Sequence, residues 1–399
     1  MKAYFDDREF DFQLLRMLGS TVAGAADIGE CLATAQRIKE GDFEGWYTEW
    51  NKTATRIHAA ADESMKNGHR VSAREAYLRA SNYYRCAEFY LHGNRDDPRI
   101  PELSGKSMDC FRKVVELSPL DIETVEIPYE KTVLPGYVYR PGGKKKRRPT
   151  LILMTGFDGT QEEFYSSGAA ATARGFNLVT FEGPGQGRVI HEQGLPFRPD
   201  WENVVTPVVD FLMTLDDVDP KKIALEGLSF GGYLAPRAAA FEHRLAACIA
   251  NGGVFDFIGS RVPPGMTREQ MVGMMRDYPE ESNESMKKMM DEKVEMRWSI
   301  EHGMYVFKVT SPAEWFVKAS EYTMEGVADK VECPTLVIDG ENEFSFTGEA
   351  KKLYDALVCP KTWMFFTVEE GAGDHCQVAA QALSGQRVFD WLEEALAVS

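Results

Sequence analysis

The chain has 399 residues, 44% of them hydrophobic and 27% charged, with a formal net charge of −17. That length and composition suit a large globular core with one further domain, and the acidic balance argues against nucleic acid or an anionic membrane surface as a partner. No run approaches the ~18–20 apolar residues that span a bilayer, the N-terminus Met1-Lys2-Ala3-Tyr4-Phe5-Asp6-Asp7 has no apolar signal core, and the seven cysteines form no Cys-x-x-Cys pair, so the expectation is reduced thiols, no metal or organic cofactor and a cytoplasmic location.

Residues 1–118 are predicted as a helical N-terminal domain. Gly29 to Glu40, Trp46 to Asn67 and Ser72 to Leu91 carry apolar and aromatic side chains at helical spacing. Ser72 followed by Glu75 offers a capping-box start, and Trp46, Trp50, Tyr77, Tyr83, Tyr84, Phe89 and Tyr90 read as the core and docking face of these helices. Ser118-Pro119 ends the pattern, and residues 119–399 are predicted as the catalytic domain. There Ile122 to Tyr129 and Val133 to Arg140 alternate like a hairpin. The basic run Lys144 to Arg148 is a solvated connector, and short apolar runs follow at Thr150 to Met154, Phe176 to Phe181, Lys222 to Leu225, Ala246 to Ala250, Thr335 to Asp339 and Thr362 to Thr367. Eight strands interleaved with helices predict an α/β fold with a doubly wound, mostly parallel sheet covered on both faces. Residues 254–322 break the rhythm with a Met-rich helical insertion that reads as a lid, although its aromatics are equally suited to packing on the N-terminal helices.

The chemistry centres on Gly227-Leu228-Ser229-Phe230-Gly231, which follows an apolar strand and opens a helix. This is the context of a nucleophile elbow, where glycines on either side of the serine keep Cβ atoms out of a crowded turn. Serine needs a base, and the base needs an orienting acid. In the chain order of such sheets the acid follows a later strand and the histidine comes last. His375, beyond the final strand, is the candidate base. Glu343, in the turn after Thr335 to Asp339, is the first choice for the acid, with Asp339 second and Asp374 a weaker third. The oxyanion donors are expected from the backbone of Phe230 and of Phe157. Asp158, Tyr165, Trp298, His302, Tyr305 and Trp315 are the candidates for touching a small-molecule substrate. The loop Glu182-Gly183-Pro184-Gly185-Gln186-Gly187 lacks the Lys-Ser/Thr of a phosphate loop.

Gly-Leu-Ser-Phe-Gly-Gly, Glu-Gly-Pro-Gly-Gln-Gly, Gly-Phe-Asp-Gly-Thr-Gln-Glu-Glu and Gly-Ala-Gly-Asp-His-Cys-Gln together resemble the FrsA-like branch of the α/β-hydrolase superfamily, in particular the 2,6-dihydroxypseudooxynicotine hydrolases and the fungal pigment hydrolases that shorten polyketides. Asp158 with Glu162 and Glu163 carries the resemblance to the branch. It implies a serine hydrolase able to cleave a carbon–carbon bond beside a ketone by a retro-Claisen route, and it suggests a homodimer. Many relatives use aspartate as the acid, where this turn offers Glu343. Ester or amide hydrolysis, acyl transfer leading to cyclisation, and a non-catalytic receptor on the same fold are the alternatives.

Overall fold

The computed structural model describes residues 1–143 and 146–397; Lys144 and Lys145 of the basic connector lie outside them. Five helices open the chain: α1 (Arg8–Gly19), α2 (Ile28–Ala35), α3 (Phe43–Lys66), α4 (Arg70–Glu88) and α5 (Arg99–Leu117). Aspartates begin the first three. Asp7, Asp27 and Asp42 each accept a hydrogen bond from a first-turn amide, which satisfies donors the helix leaves open. The capping box expected at Ser72 does not form. Asn67 and Gly68, the latter at φ +78°, turn the chain so tightly that α4 starts at Arg70, and Ser72 already lies inside its first turn. The seven aromatics of the predicted helical core are all buried. Phe89 also reaches outward, stacking on Trp298 at a centroid distance of 5.0 Å.

The sheet has eight strands: β1 (Asp121–Tyr129), β2 (Thr132–Arg140), β3 (Arg148–Met154), β4 (Asn177–Phe181), β5 (Val218–Leu228), β6 (Ala247–Asn251), β7 (Thr335–Gly340) and β8 (Lys361–Phe366). Their order is β1-β2-β4-β3-β5-β6-β7-β8. The first hairpin and its contact with β4 are antiparallel, and every later pairing is parallel. β4 and β6 are buried along their whole length, as strands covered on both faces must be. This is the expected α/β-hydrolase sheet. Because the chain winds to one side from β3 to β4 and to the other from β5 onward, a crevice opens at the carboxyl ends of β3 and β5.

Helices α6 (Tyr165–Ala173), α7 (Glu202–Met213) and α8 (Gly231–Ala239) separate the early strands. Between β6 and β7 come α9 (Arg268–Asp277), α10 (Pro279–Glu292), α11 (Val294–Val306) and α12 (Pro312–Ala319), and an isolated bridge between Asp256 and Thr323 draws the ends of this insertion together. α13 (Glu349–Ala356) and α14 (Gln381–Ala395) complete the chain. α14 begins four residues later than the pattern of apolar residues suggests, since Cys376 and Gln377 take positive φ in a short turn after His375. Among the described residues no helix is long and apolar enough to cross a membrane.

Candidate active site

Ser229 stands between β5 and α8 at φ +61°, a left-handed conformation that a non-glycine residue adopts only when its surroundings hold it there. Its amide donates to the Asn251 carbonyl at 2.7 Å, and its carbonyl accepts from Gly232 N–H at 2.7 Å. The glycines are needed for space. A Cβ on Gly227 would lie 2.1 Å from the Gly231 oxygen, and one on Gly231 would lie 3.0 Å from the Thr155 oxygen.

His375 meets the serine from the loop after β8. Its Nε2 is 2.8 Å from Ser229 Oγ and its Nδ1 is 2.5 Å from Glu343 Oε2. Nδ1–H therefore donates to the carboxylate and Nε2 is left to accept the serine proton. The other carboxylate oxygen accepts from the amides of Ser345 at 2.8 Å and Phe346 at 3.0 Å, so Glu343 cannot rotate without losing three hydrogen bonds. Burial works against both charges, yet the pair prevails. Glu343 is held below its ordinary pKa by His375, and His375 stands well above its own through Cys376 and Glu343.

Of the other two carboxylates considered, Asp339 accepts from the adjacent Gly340 amide, and burial pushes its pKa up to about 6. Asp374 binds the N-terminal ammonium at 3.0 Å and the Asn342 side chain at 3.4 Å. Neither bonds to His375. Glu343 is the carboxylate that the turn after β7 brings to the ring.

The loop after β3 lies against the elbow: a Cβ on Gly156 would be 2.4 Å from the Leu228 oxygen and 2.6 Å from Phe230 N. Gln186, from the Gly-Pro-Gly-Gln-Gly loop, fixes this loop by donating to the carbonyls of Thr155 at 2.9 Å and Gly156 at 3.1 Å. Among the described residues, the amides of Phe157 and Phe230 find no intramolecular acceptor. They are donors available to an oxyanion.

A cavity of about 320 Å³ opens on Ser229 and His375. Its walls come from distant parts of the chain, including Phe12 and Arg16 of α1, Trp298 of α11, and Phe344 and Phe346 beyond β7. Asp158 forms part of the wall through Arg16, which donates to it at 2.6 Å and grips Glu163 with two further bonds at 2.8 and 2.7 Å. Burial would raise both carboxyl pKa values, but the guanidinium holds both below their ordinary range. Helix α1 is thus tied to the loop beside the nucleophile by a partly buried ion triad.

Asp158 and Trp298 line the cavity, whereas the other four candidates for substrate contact do not. Tyr165 packs edge-on to Phe111 with its hydroxyl 3.4 Å from Ser118 Oγ. Tyr305 bonds to His191 Nδ1 at 2.7 Å, and Trp315 of α12 is buried against Gly303. His302 sits behind the loop, its Nε2–H donating to the Phe157 carbonyl at 2.8 Å while its Nδ1 meets His92 Nδ1 at 3.0 Å. Helical spacing alone could not tell which face of α11 or α12 turns to the cavity.

Sequence reading also missed several cavity residues. Cys376 Sγ lies 3.5 Å from His375 Nε2, and Glu226, on β5 just before the elbow, is buried with its pKa raised to about 7. The only signal for either was adjacency to a motif. Among the described residues, one grouping has metal-ligand chemistry: Glu88, His92 and His191, whose ligand atoms lie within 4.8 Å of one another. His92 Nε2 is already 2.7 Å from Glu88 Oε1, and the group lies on the far side of His302 from the nucleophile's loop.

The family profile described as "Esterase FrsA-like" matches residues 25–290. The chain is 37% identical over 423 residues to "Hydrolase acrC" of Aspergillus aculeatus, covering 99% of this chain and 98% of that protein. It is 35% identical over 420 residues to "20-hydroxy-prefusarin hydrolase FUS2" of Gibberella moniliformis, covering 100% and 99%. A solved structure of 2,6-dihydroxy-pseudo-oxynicotine hydrolase superposes with a TM-score of 0.74 at 24% identity over 95% of each chain, a likeness of fold.

Proposed function

From the premise that this chain belongs to the FrsA-like esterase family and is an α/β-hydrolase, we propose that it is a serine hydrolase that cleaves a small-molecule ketone, β-diketone or polyketide-like substrate at a carbon–carbon bond. The observation that carries the reading is the continuous hydrogen-bonded line Ser229 Oγ, His375 Nε2, His375 Nδ1, Glu343 Oε2 at a largely apolar cavity. Two hydrolases of fungi that match over nearly the full chain support the substrate class, one of them named for a 20-hydroxy-prefusarin substrate.

In this reading His375 takes the Ser229 proton as Oγ adds to the ketone carbon. The carbonyl electron pair moves to oxygen and is held by the amides of Phe230 and Phe157. When the oxyanion collapses, the carbon–carbon bond breaks and its electron pair passes to a carbon stabilised by a neighbouring carbonyl. The imidazolium returns the proton there, releasing a ketone. Water, deprotonated by His375, then frees the acyl group from Ser229 as a carboxylic acid. Glu343 holds the imidazole in the required tautomer throughout. An ester follows the same course with an easier leaving group.

The test is product analysis with 1-phenylbutane-1,3-dione and with a matched phenyl ester. Equimolar acid and ketone from the dione, absent with Ser229→Ala, is the expected result. Turnover of the ester alone would replace carbon–carbon cleavage by ester hydrolysis.

A further inference from the structure

Arg261 closes the short turn Gly259–Arg261 at the start of the lid insertion, and its side chain lines the cavity. A guanidinium has five N–H donors in a planar fork. Among the described residues this one donates once, to the Phe257 carbonyl at 2.5 Å, and has no carboxylate within ion-pair reach. It lies over two aromatic rings instead, 4.9 Å from the Phe257 centroid and 5.3 Å from the Phe346 centroid. Glu295, the acid whose charge it feels most, lies beyond ion-pair distance, while Asp256 pairs with Arg268 and Glu349 binds Lys352 and the Asp256 amide. Burial accordingly pushes the Arg261 pKa down to about 10, so the group stays charged while lacking a partner.

The cavity's other arginines differ. Arg16 is committed to Asp158 and Glu163, and Arg174 donates to Ala170 at the carbonyl end of α6, where the helix supplies negative potential. Arg174 also donates only once, but among the described residues Arg261 is the one of these three that a shared ring links to the catalytic histidine. Phe346 links the two places: its ring lies 5.3 Å from the guanidinium and 6.0 Å from the His375 ring, and its amide holds Glu343.

We propose that Arg261 is the anchor for a planar two-oxygen organic anion, a carboxylate or the enolate of a 1,3-dicarbonyl, carried by the substrate at a distance from the carbonyl that Ser229 attacks. The proposal rests on the hydrolase reading above and deepens it to a substrate class. The guanidinium fork matches both oxygens of such a group, and the two neighbouring aromatic rings displace water that would weaken the contact.

The experiment measures calorimetric binding to the Ser229→Ala protein, so that no turnover is required. The ligands are 6-phenylhexanoate against 6-phenylhexanamide, and 5-phenylcyclohexane-1,3-dione against its enol methyl ether. At least one anion is expected to bind about 30-fold or more tightly than its neutral partner. Whichever pair shows the difference identifies carboxylate or enolate. Adding Arg261→Met should erase the preference, and Arg261→Lys should keep part of it. Circular dichroism checks folding, and Arg261→Gln serves if the methionine variant does not fold. No preference in the parent, or a preference that survives loss of the guanidinium, overturns the proposal. Fluorophosphonate labelling of the protein with Ser229 intact separates the two readings: labelling without anion preference leaves the hydrolase reading and removes the anchor, and anion preference without labelling does the reverse.

Discussion

Replacing Glu343 by glutamine changes one atom of the site and, on this geometry, reverses the role of His375. Oε1 accepts from the amides of Ser345 at 2.8 Å and Phe346 at 3.0 Å, so only the amide oxygen of a glutamine can occupy that place. Its NH₂ is then forced into the position of Oε2, 2.5 Å from His375 Nδ1. Two donors cannot face each other there. The imidazole must carry its proton on Nε2, where it points at Ser229 Oγ and can no longer accept the serine proton. In serine proteases the equivalent exchange costs about 10⁴ in kcat, so a loss of about 10³–10⁴, or roughly 4–5.5 kcal/mol of transition-state stabilisation, is expected here with KM changed little. The carboxylate also raises the His375 pKa. Its removal lowers that pKa, so the rising limb of the pH–rate profile should move to lower pH. Hydrolysis of an activated phenyl ester from acid to mildly alkaline pH reads both effects. A Glu343→Gln protein within tenfold of the parent, with a loss of 10³ in Asp339→Asn or Asp374→Asn, would refute the assignment.

Arg16→Met leaves the partly buried Asp158 carboxylate without its cation and Glu163 with Arg85 alone at 3.5 Å, and should cost about 3 kcal/mol in chemical denaturation. Because Arg16 depresses both pKa values in the folded protein, the stability it provides is present above the unfolded pKa values near 4 and is lost as pH falls through the lower folded ones; in Arg16→Met this loss on acidification should shrink or reverse. Gly156→Ala would drive a Cβ to 2.4 Å from the Leu228 oxygen and push the Phe157 loop off the elbow, lowering kcat by about 10²–10³ through the oxyanion donors in steady-state assays. His302→Phe removes the donor to the Phe157 carbonyl and should destabilise the fold by about 1–3 kcal/mol, read by urea unfolding, while fluorophosphonate still reaches Ser229.

Local pattern made the sheet legible: each strand is a short apolar run with a turn residue at its end, and the elbow announces itself because the φ of Ser229 demands glycine on both sides. His375 could be chosen among seven histidines by its place after the last strand. The acid could not be settled that way, since Asp339 ends β7 while Glu343 and Asp374 sit on neighbouring loops, and only the backbone amides of Ser345 and Phe346 decide which carboxylate is aimed at the ring. Contacts between distant segments left no mark in the sequence. Arg16 meets Asp158 and Glu163 across more than a hundred residues, Phe89 meets Trp298 across more than two hundred, and His302 bonds through to Phe157. Tyr305 and Trp315, between β6 and β7, look the same in sequence as Trp298, although of the three only Trp298 lines the cavity.

The central claim is that Ser229 is an activated nucleophile, and intact-protein mass after reaction with a small fluorophosphonate tests it most directly. One adduct, mapped by peptide analysis to Ser229 and absent from Ser229→Ala and His375→Ala, is the predicted result. An adduct on another residue, or labelling of Ser229 that persists at the same rate in His375→Ala, would contradict the account.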